Sequence, residues 1–289
     1  MLQILTHAKQ QESRPSLFTL ASAMKDSGRT RSWSAAMSLF RECSQSSMQT
    51  DTVLYAVAIS TCGKCKQWQQ AVSLLNEIEE VKLEPGAISC STGISACERS
   101  GQWQWALSLL KHMWNLELEH DVVCCSAGIS ACAKGEKWEH ALSLFHAMGE
   151  ARLKPDVFSY GAGISACEKG LQWQLALMLL RRIGESTLEP SLIAHNSAIS
   201  ACEKGGQWQQ ALSLLREMRE VALEPDIISF SAGISALDRG EQWQMALSFF
   251  REMWEIRLKP NVVELRCWGQ RVREWREVAA CTSVAQNIE

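Results

Sequence analysis

Proline is scarce in this chain, with six residues among 289, and tyrosine is scarcer, with two. Proline interrupts helices, so its rarity leaves most of the chain free to be helical. No apolar run approaches the ~20 residues that span a bilayer as a helix, and no membrane partner is expected. A basic surplus is also missing. Lys and Arg total 29 against 32 Asp and Glu, for a net charge of −3. Bulk charge therefore cannot draw the protein to nucleic acid, and only the placement of its cations could. There is no glycine-rich phosphate loop, no nucleophile elbow and no carboxylate constellation, so neither an enzyme nor a cofactor is expected. Residues 1–16 lack the apolar centre of a secretory signal. With Lys9 and Arg14 against Glu12, they read as a short organelle-targeting segment. Twelve cysteines without such a signal indicate free thiols in a reducing compartment.

What is abundant is tryptophan, and it is periodic. Trp33, Trp68, Trp103, Trp138, Trp173, Trp208 and Trp243 are spaced 35 residues apart, and an alanine follows each by three residues, from Ala36 to Ala246. Five of the six prolines share one position: Pro85, Pro155, Pro190, Pro225 and Pro260. Thr50 and His120 stand there in the other two copies. Seven units thus fill residues 17–261 without insertion. Their slots are numbered 1 to 35 from Leu17, Thr52, Ala87, Val122, Val157, Leu192 and Ile227.

Each unit reads as two helices. In the sixth, Trp208, Ala211, Leu212, Leu215 and Met218 paint one apolar stripe at helical spacing. The first helix is expected over slots 1–13. Gly205 and Gly206 break the chain between the two, Pro225 ends the hairpin, and Asp226 is placed to cap the next helix. A lone hairpin cannot bury its apolar face, but stacked neighbours can. The expected fold class is therefore all-α, an α-solenoid superhelix of seven helix-turn-helix repeats, with a globular bundle as the alternative. Slot 7 is small throughout (Ala23, Ala58, Gly93, Gly128, Gly163, Ala198, Gly233) and slot 17 is always tryptophan. The two are expected to share a space. Residues 262–289, with Trp268 and Trp275 seven apart, are expected to form a degenerate helical cap.

The constant 35-residue period, strings such as Asp-Ile-Ile-Ser-Phe-Ser-Ala-Gly-Ile-Ser-Ala and Ala-Leu-Ser-Leu-Leu-Arg-Glu-Met, and the closing Leu-Glu-Pro-Asp resemble the pentatricopeptide repeat (PPR) family. The chain departs from the family pattern at slots 7 and 17, where large aliphatic residues are usual. The resemblance implies single-stranded RNA as the partner, read one base per repeat. It implies base selection by slots 5 and 35, an apolar base clamp at slot 2, and a backbone-contacting cation at slot 13. It also implies a role in organelle RNA processing, stability or translation, in a mitochondrion or chloroplast, and a monomer. The competing expectation is a scaffold that binds protein partners on its concave face.

Slot 13 is basic in every unit: Arg29, Lys64, Arg99, Lys134, Lys169, Lys204 and Arg239. A line of cations can track phosphates even on a slightly acidic protein. Seven such contacts imply a log–log salt slope of about −5. The alternative is simply a cation at each helix C-terminus. Slot 2 holds Phe18, Val53, Ile88, Val123, Phe158, Ile193 and Ile228, which would serve equally as core. The slot 5 and 35 pairs Ser91 with Asp121 and Ser126 with Asp156 imply G. Asn196 with Asp226 implies U, and Ser231 with Asn261 implies A. Ala21, Ala56 and Gly161 have no polar atom to offer a base, so the implied site is N-N-G-G-N-U-A. Helix capping is the alternative role of slot 35. Cys62-Gly-Lys-Cys65 has the CxxC form. However, Cys62 belongs to a slot-11 row with Cys97, Cys132, Cys167 and Cys202, which points to packing, and no metal is expected.

Overall fold

The computed structural model describes residues 17–256, except 31, 46–51, 82, 84, 85, 117, 119, 120 and 187. The segments 1–16 and 262–289, each given a role above, lie outside the described residues.

Among the described residues there are fourteen helices and no strand. In chain order they are α1 (Leu17–Arg29), α2 (Trp33–Gln45), α3 (Thr52–Lys64), α4 (Trp68–Glu80), α5 (Ala87–Arg99), α6 (Trp103–Asn115) and α7 (Val122–Lys134). Then follow α8 (Trp138–Glu150), α9 (Val157–Lys169), α10 (Trp173–Glu185), α11 (Leu192–Lys204), α12 (Trp208–Glu220), α13 (Ile227–Arg239) and α14 (Trp243–Glu255). Every odd-numbered helix occupies slots 1–13 and every even-numbered one slots 17–29. The fold class is the expected all-α solenoid of helical hairpins.

The turn between the paired helices has one design. The N–H of slot 16 donates to the carbonyl of slot 11, as in Lys137 to Cys132 at 2.9 Å and Gln207 to Cys202 at 2.8 Å. Slot 15 takes a left-handed backbone, with φ of 58° at Glu136, 58° at Leu171 and 67° at Gly206. This pattern is the Schellman motif, which satisfies the last carbonyls of a helix while reversing the chain. At the other end, slot 35 caps the first helix. Asp121, Asp156, Ser191 and Asp226 accept from the N–H groups of Cys124, Ser159, Ala194 and Ser229.

The chain forms two compact units, residues 1–155 and 156–289. In the first, α1, α3, α5 and α7 pack in succession, and each even-numbered helix up to α6 touches both its own partner and the next odd-numbered helix. In the second, α9, α11 and α13 pack likewise, with α10 and α12 bridging. The core of both comes from slots 8, 11, 20 and 27, exemplified by Ile129, Cys132, Ala141 and Met148, all fully buried. Burial pushes the thiols of Cys62, Cys97, Cys132, Cys167 and Cys202 up to about 11. They therefore stay protonated and pack as small apolar groups.

The expected pairing of slots 7 and 17 is incorrect. A Cβ on Gly93, Gly128 or Gly233 would fall within 2.5 Å of Leu75, Leu110 or Leu215, the slot-24 leucine of the preceding unit. Trp103, Trp173 and Trp208 rest elsewhere, over slot 14 of the following repeat. A Cβ on Gly135, Gly205 or Gly240 would come within 2.2, 2.5 or 2.3 Å of the indole Cδ1 of Trp103, Trp173 or Trp208. Around Trp103 the next hairpin also supplies the ring of His140, with centroids 5.1 Å apart, and Lys137 Nζ at 5.7 Å over the indole face. The small residues are thus needed between units, where one hairpin closes on the next.

Candidate nucleic-acid interface

Slots 2, 5, 6, 9, 12 and 13 fall on one side of a first helix, since helical neighbours recur every three or four residues. That side is left open by the packing. Val53, Ile88, Val123, Phe158, Ile193 and Ile228 are between 60 % and 80 % exposed, so slot 2 is not core in any of these six units. Phe18 and Asp51 cannot be placed in this way, because the Phe18 side chain and Asp51 lie outside the described residues. Val123, Phe158, Ile193 and Ile228 begin their helices beside the capping residues Asp121, Asp156, Ser191 and Asp226. A large apolar group left in water by its own fold is available to a partner.

In the first compact unit, one cleft of about 200 Å³ gathers Ser91 (slot 5), Asp121 (slot 35), Val123 (slot 2 of the next repeat) and Arg99 (slot 13). The repeat before it has a wider groove of about 580 Å³, lined by Val53, Ala56, Gly86, Ile88, Lys64 and Arg29 among others. There Ala56 and Gly86 put no polar side chain where Ser91 and Asp121 stand in the next repeat.

The slot-5 hydroxyls turn back on their own helices. Ser91 donates to the Ile88 carbonyl at 3.0 Å, Ser126 to Val122 at 2.6 Å and Ser231 to Ile227 at 2.6 Å. A hydroxyl that has donated, as that of Ser91 has, can still accept a hydrogen bond. Asn196 behaves differently. Its Nδ2 donates to Asp226 Oδ1 at 3.1 Å, and its Oδ1 accepts from the Ser229 hydroxyl at 2.5 Å. Asp226 also accepts from the Ser229 N–H at 2.9 Å. The capping bond and the contact between slots 5 and 35 therefore coexist in one side chain. They fix the Asn196 amide while leaving one N–H and one acceptor site unused. Asn196 is almost buried, whereas the other slot-5 residues are half-buried. Asn261, the expected partner of Ser231, lies outside the described residues. Ser126 stands in the first compact unit and Asp156 caps α9 in the second.

All seven slot-13 cations are exposed, but they are not equally free. Lys134 pairs with Glu98, Lys204 with Glu168 at 3.0 Å and Arg239 with Glu203 at 3.3 Å. Each carboxylate occupies slot 12 of the preceding repeat. Burial raises the Glu203 carboxyl above its usual value, against the opposing pull of Arg239 and Lys204. Spacing within a single repeat does not connect these acids with the cations they hold. The signal that finds them is an acid 36 residues before a base.

Tandem two-helix units with one side of the first helices left open define a helical-repeat protein. A pentatricopeptide repeat domain model matches residues 108–169, 178–239 and 213–264, and a PPR repeat model matches 53–83 and 88–118. The chain belongs to the pentatricopeptide repeat family. Among solved structures, PPR10 from maize is similar with a TM-score of 0.61 and 16 % identity, over 98 % of this chain and 46 % of PPR10. PPR10 in complex with an 18-nt psaJ RNA element gives 0.56 and 17 % identity, over 96 % of this chain and again 46 % of PPR10. The PPR domain of Arabidopsis thaliana protein-only RNase P 1 in complex with tRNA gives 0.56 and 12 %, over 64 % of this chain and 95 % of that domain. This chain thus spans under half the length of PPR10. No curated protein matches it in sequence.

Proposed function

We propose that this chain is a sequence-selective, single-stranded RNA-binding protein, acting as a monomer without catalysis of its own. Its setting is organelle RNA processing, stability or translation in a mitochondrion or chloroplast, a reading that rests on family membership. The cleft that brings Ser91, Asp121, Val123 and Arg99 together carries the RNA reading, because it offers a polar edge, an apolar wall and a cation within one nucleotide-sized space. The RNA-bound PPR neighbours support it. Base selection falls to Ser91 with Asp121, Ser126 with Asp156, Asn196 with Asp226, and Ser231 with Asn261. Val53, Ile88, Val123, Phe158, Ile193 and Ile228 flank the bases, and cations of slot 13 meet the backbone. Protein partners on the same side are the competing occupants.

The test is a binding panel in which only the sixth base of N-N-G-G-N-U-A varies. The wild type should prefer U there. Asn196→Ser should shift that preference to G and leave the other positions as they were. A wild type indifferent to the sixth base, or a variant that keeps U, would refute the assigned pairs. Absence of any RNA binding would return the chain to the protein-scaffold class.

A further inference from the structure

The slot-13 cations fall into two groups, and the residue one repeat earlier decides which. Lys134, Lys204 and Arg239 follow Glu98, Glu168 and Glu203, and each is ion-paired to that acid. The acids are fixed from a second direction. Ser130 and Ser200 donate to Glu98 and Glu168 at 2.9 Å. Lys134 and Arg239 also donate to the main-chain carbonyls of Glu98 and Glu203, at 3.1 and 3.3 Å. The three carboxylate side chains are only 16–20 % exposed, so solvent screens them weakly. Lys64, Arg99 and Lys169 instead follow Gly28, Gly63 and Ala133, and they form no ion pair among the described residues. Lys64 runs past the same spot: a Cβ on Gly28 would lie 3.7 Å from its Cδ. Among the described residues, Arg29 pairs only with Asp26 of its own helix, at 3.5 Å, with its side chain 83 % exposed.

This grouping coincides with that of the slot 5 and 35 pairs. Repeats one, two and five lack a polar slot-5 side chain, having Ala21, Ala56 and Gly161, and they carry Arg29, Lys64 and Lys169. Repeats four, six and seven carry Ser126, Asn196 and Ser231, and their cations are the three that are neutralised. Repeat three alone has both Ser91 and the unpaired Arg99.

We propose that the repeats divide the work of holding RNA: Arg29, Lys64, Arg99 and Lys169 grip phosphates, while Glu98, Glu168 and Glu203 cancel the charge of the repeats that read bases. This rests on the RNA-binding reading above. Phosphate contacts add affinity to every sequence alike, whereas base contacts discriminate. A cation that already holds a carboxylate brings no net positive charge to the RNA, and an approaching phosphate meets that carboxylate about 3 Å away. Cancelling charge at a reading repeat lowers the sequence-blind part of its affinity and leaves the base contact to decide.

The experiment measures single-stranded RNA binding by the full chain between 50 and 200 mM salt. With four working cations the wild-type salt slope is about −3, a loss of about 50-fold across that range; seven give about −5 and about 900-fold. The triple variant Glu98→Gln, Glu168→Gln, Glu203→Gln should steepen the slope from the first value toward the second. Its amides keep an acceptor for Ser130 and Ser200, and a thermal melt checks that it folds. A control triple, Glu139→Gln, Glu185→Gln, Glu217→Gln, changes net charge equally on the second helices and should leave the slope alone. Lys64→Gln should flatten the slope of the wild type, whereas Lys134→Gln combined with Glu98→Gln, which removes a cation together with the carboxylate it holds, should not. A wild-type slope near −5, an unchanged slope in the first triple, or an equal change in the control would each overturn the division of labour while leaving RNA binding intact. A wild type that binds no RNA at any salt removes the RNA reading and this inference together.

Discussion

Two rows of apolar residues run along the same first helices, six positions apart, and meet opposite fates. Slot 8, with Met24, Ile59, Ile94, Ile129, Ile164, Ile199 and Ile234, is no more than 1 % exposed anywhere. Slot 2 is mostly in water in all six described cases. Six residues turn a helix through more than one and a half revolutions, so the rows face different sides. Both rows are wholly apolar, and isoleucine is the commonest residue in each, at six of seven positions in slot 8 and three of seven in slot 2. What separates them is whether a neighbouring hairpin covers that side. The first row holds the hairpins together, and the second is available to a ligand because the fold does not need it.

The comparison can be broken most forcefully at the buried row. Ile129→Ala should lower stability by ~2–5 kcal/mol, because the deleted atoms leave a cavity among fixed neighbours. A denaturant melt reads this directly, and a cost near zero would mean that slot 8 is not core. A smaller loss is expected where packing has no slack. Gly135→Ala puts a methyl against the Trp103 indole and should cost ~1–3 kcal/mol. Combining it with Trp103→Leu should recover part of that loss, and strict additivity in the same melts would show that the two do not share a space. The smallest effect belongs to the exposed row. Ile228→Ser should leave stability within ~0.5 kcal/mol, as surface substitutions usually do, while weakening RNA binding. A stability loss as large as that of Ile129→Ala would abolish the distinction between the rows.

Much of the fold was legible in the sequence because its period is strict. The limits of slots 1–13, the hairpin break at Gly205 and Gly206 and the cap at Asp226 all followed from spacing and residue type. The partners of slots 7 and 17 did not, and the reason is physical. A repeat shows which residue types recur but not which neighbour supplies a contact. Both closures turned out to join one unit to the next: leucine at slot 24 onto slot 7, and tryptophan at slot 17 onto slot 14. Slot 2 was ambiguous for a related reason, since an aliphatic residue in a first helical turn fits core and binding surface alike until the neighbouring hairpins are in place. Slot 35 offered a choice between capping and pairing, and Asp226 does both. The cation row lies exposed at the ends of the first helices, but its charge is partly cancelled by acids 36 residues upstream, a distance that only stacking makes short.

The indole lying over the next hairpin's turn limits how such an array can be rearranged. The piece that fits together as a unit is the second helix of one repeat with the first helix and turn of the next. Slot 14 is glycine at Gly135, Gly170, Gly205 and Gly240, but Thr30, Cys65 and Ser100 in the first three repeats. A repeat cut from the beginning and moved behind a later tryptophan would bring a side chain into space that the indole fills at Gly135, Gly205 and Gly240. Shuffling, by evolution or by a designer, is thus easiest among the later repeats and asks for a matching change at the turn elsewhere. The order of repeats, and with it the order of any bases they read, is written partly in the joints.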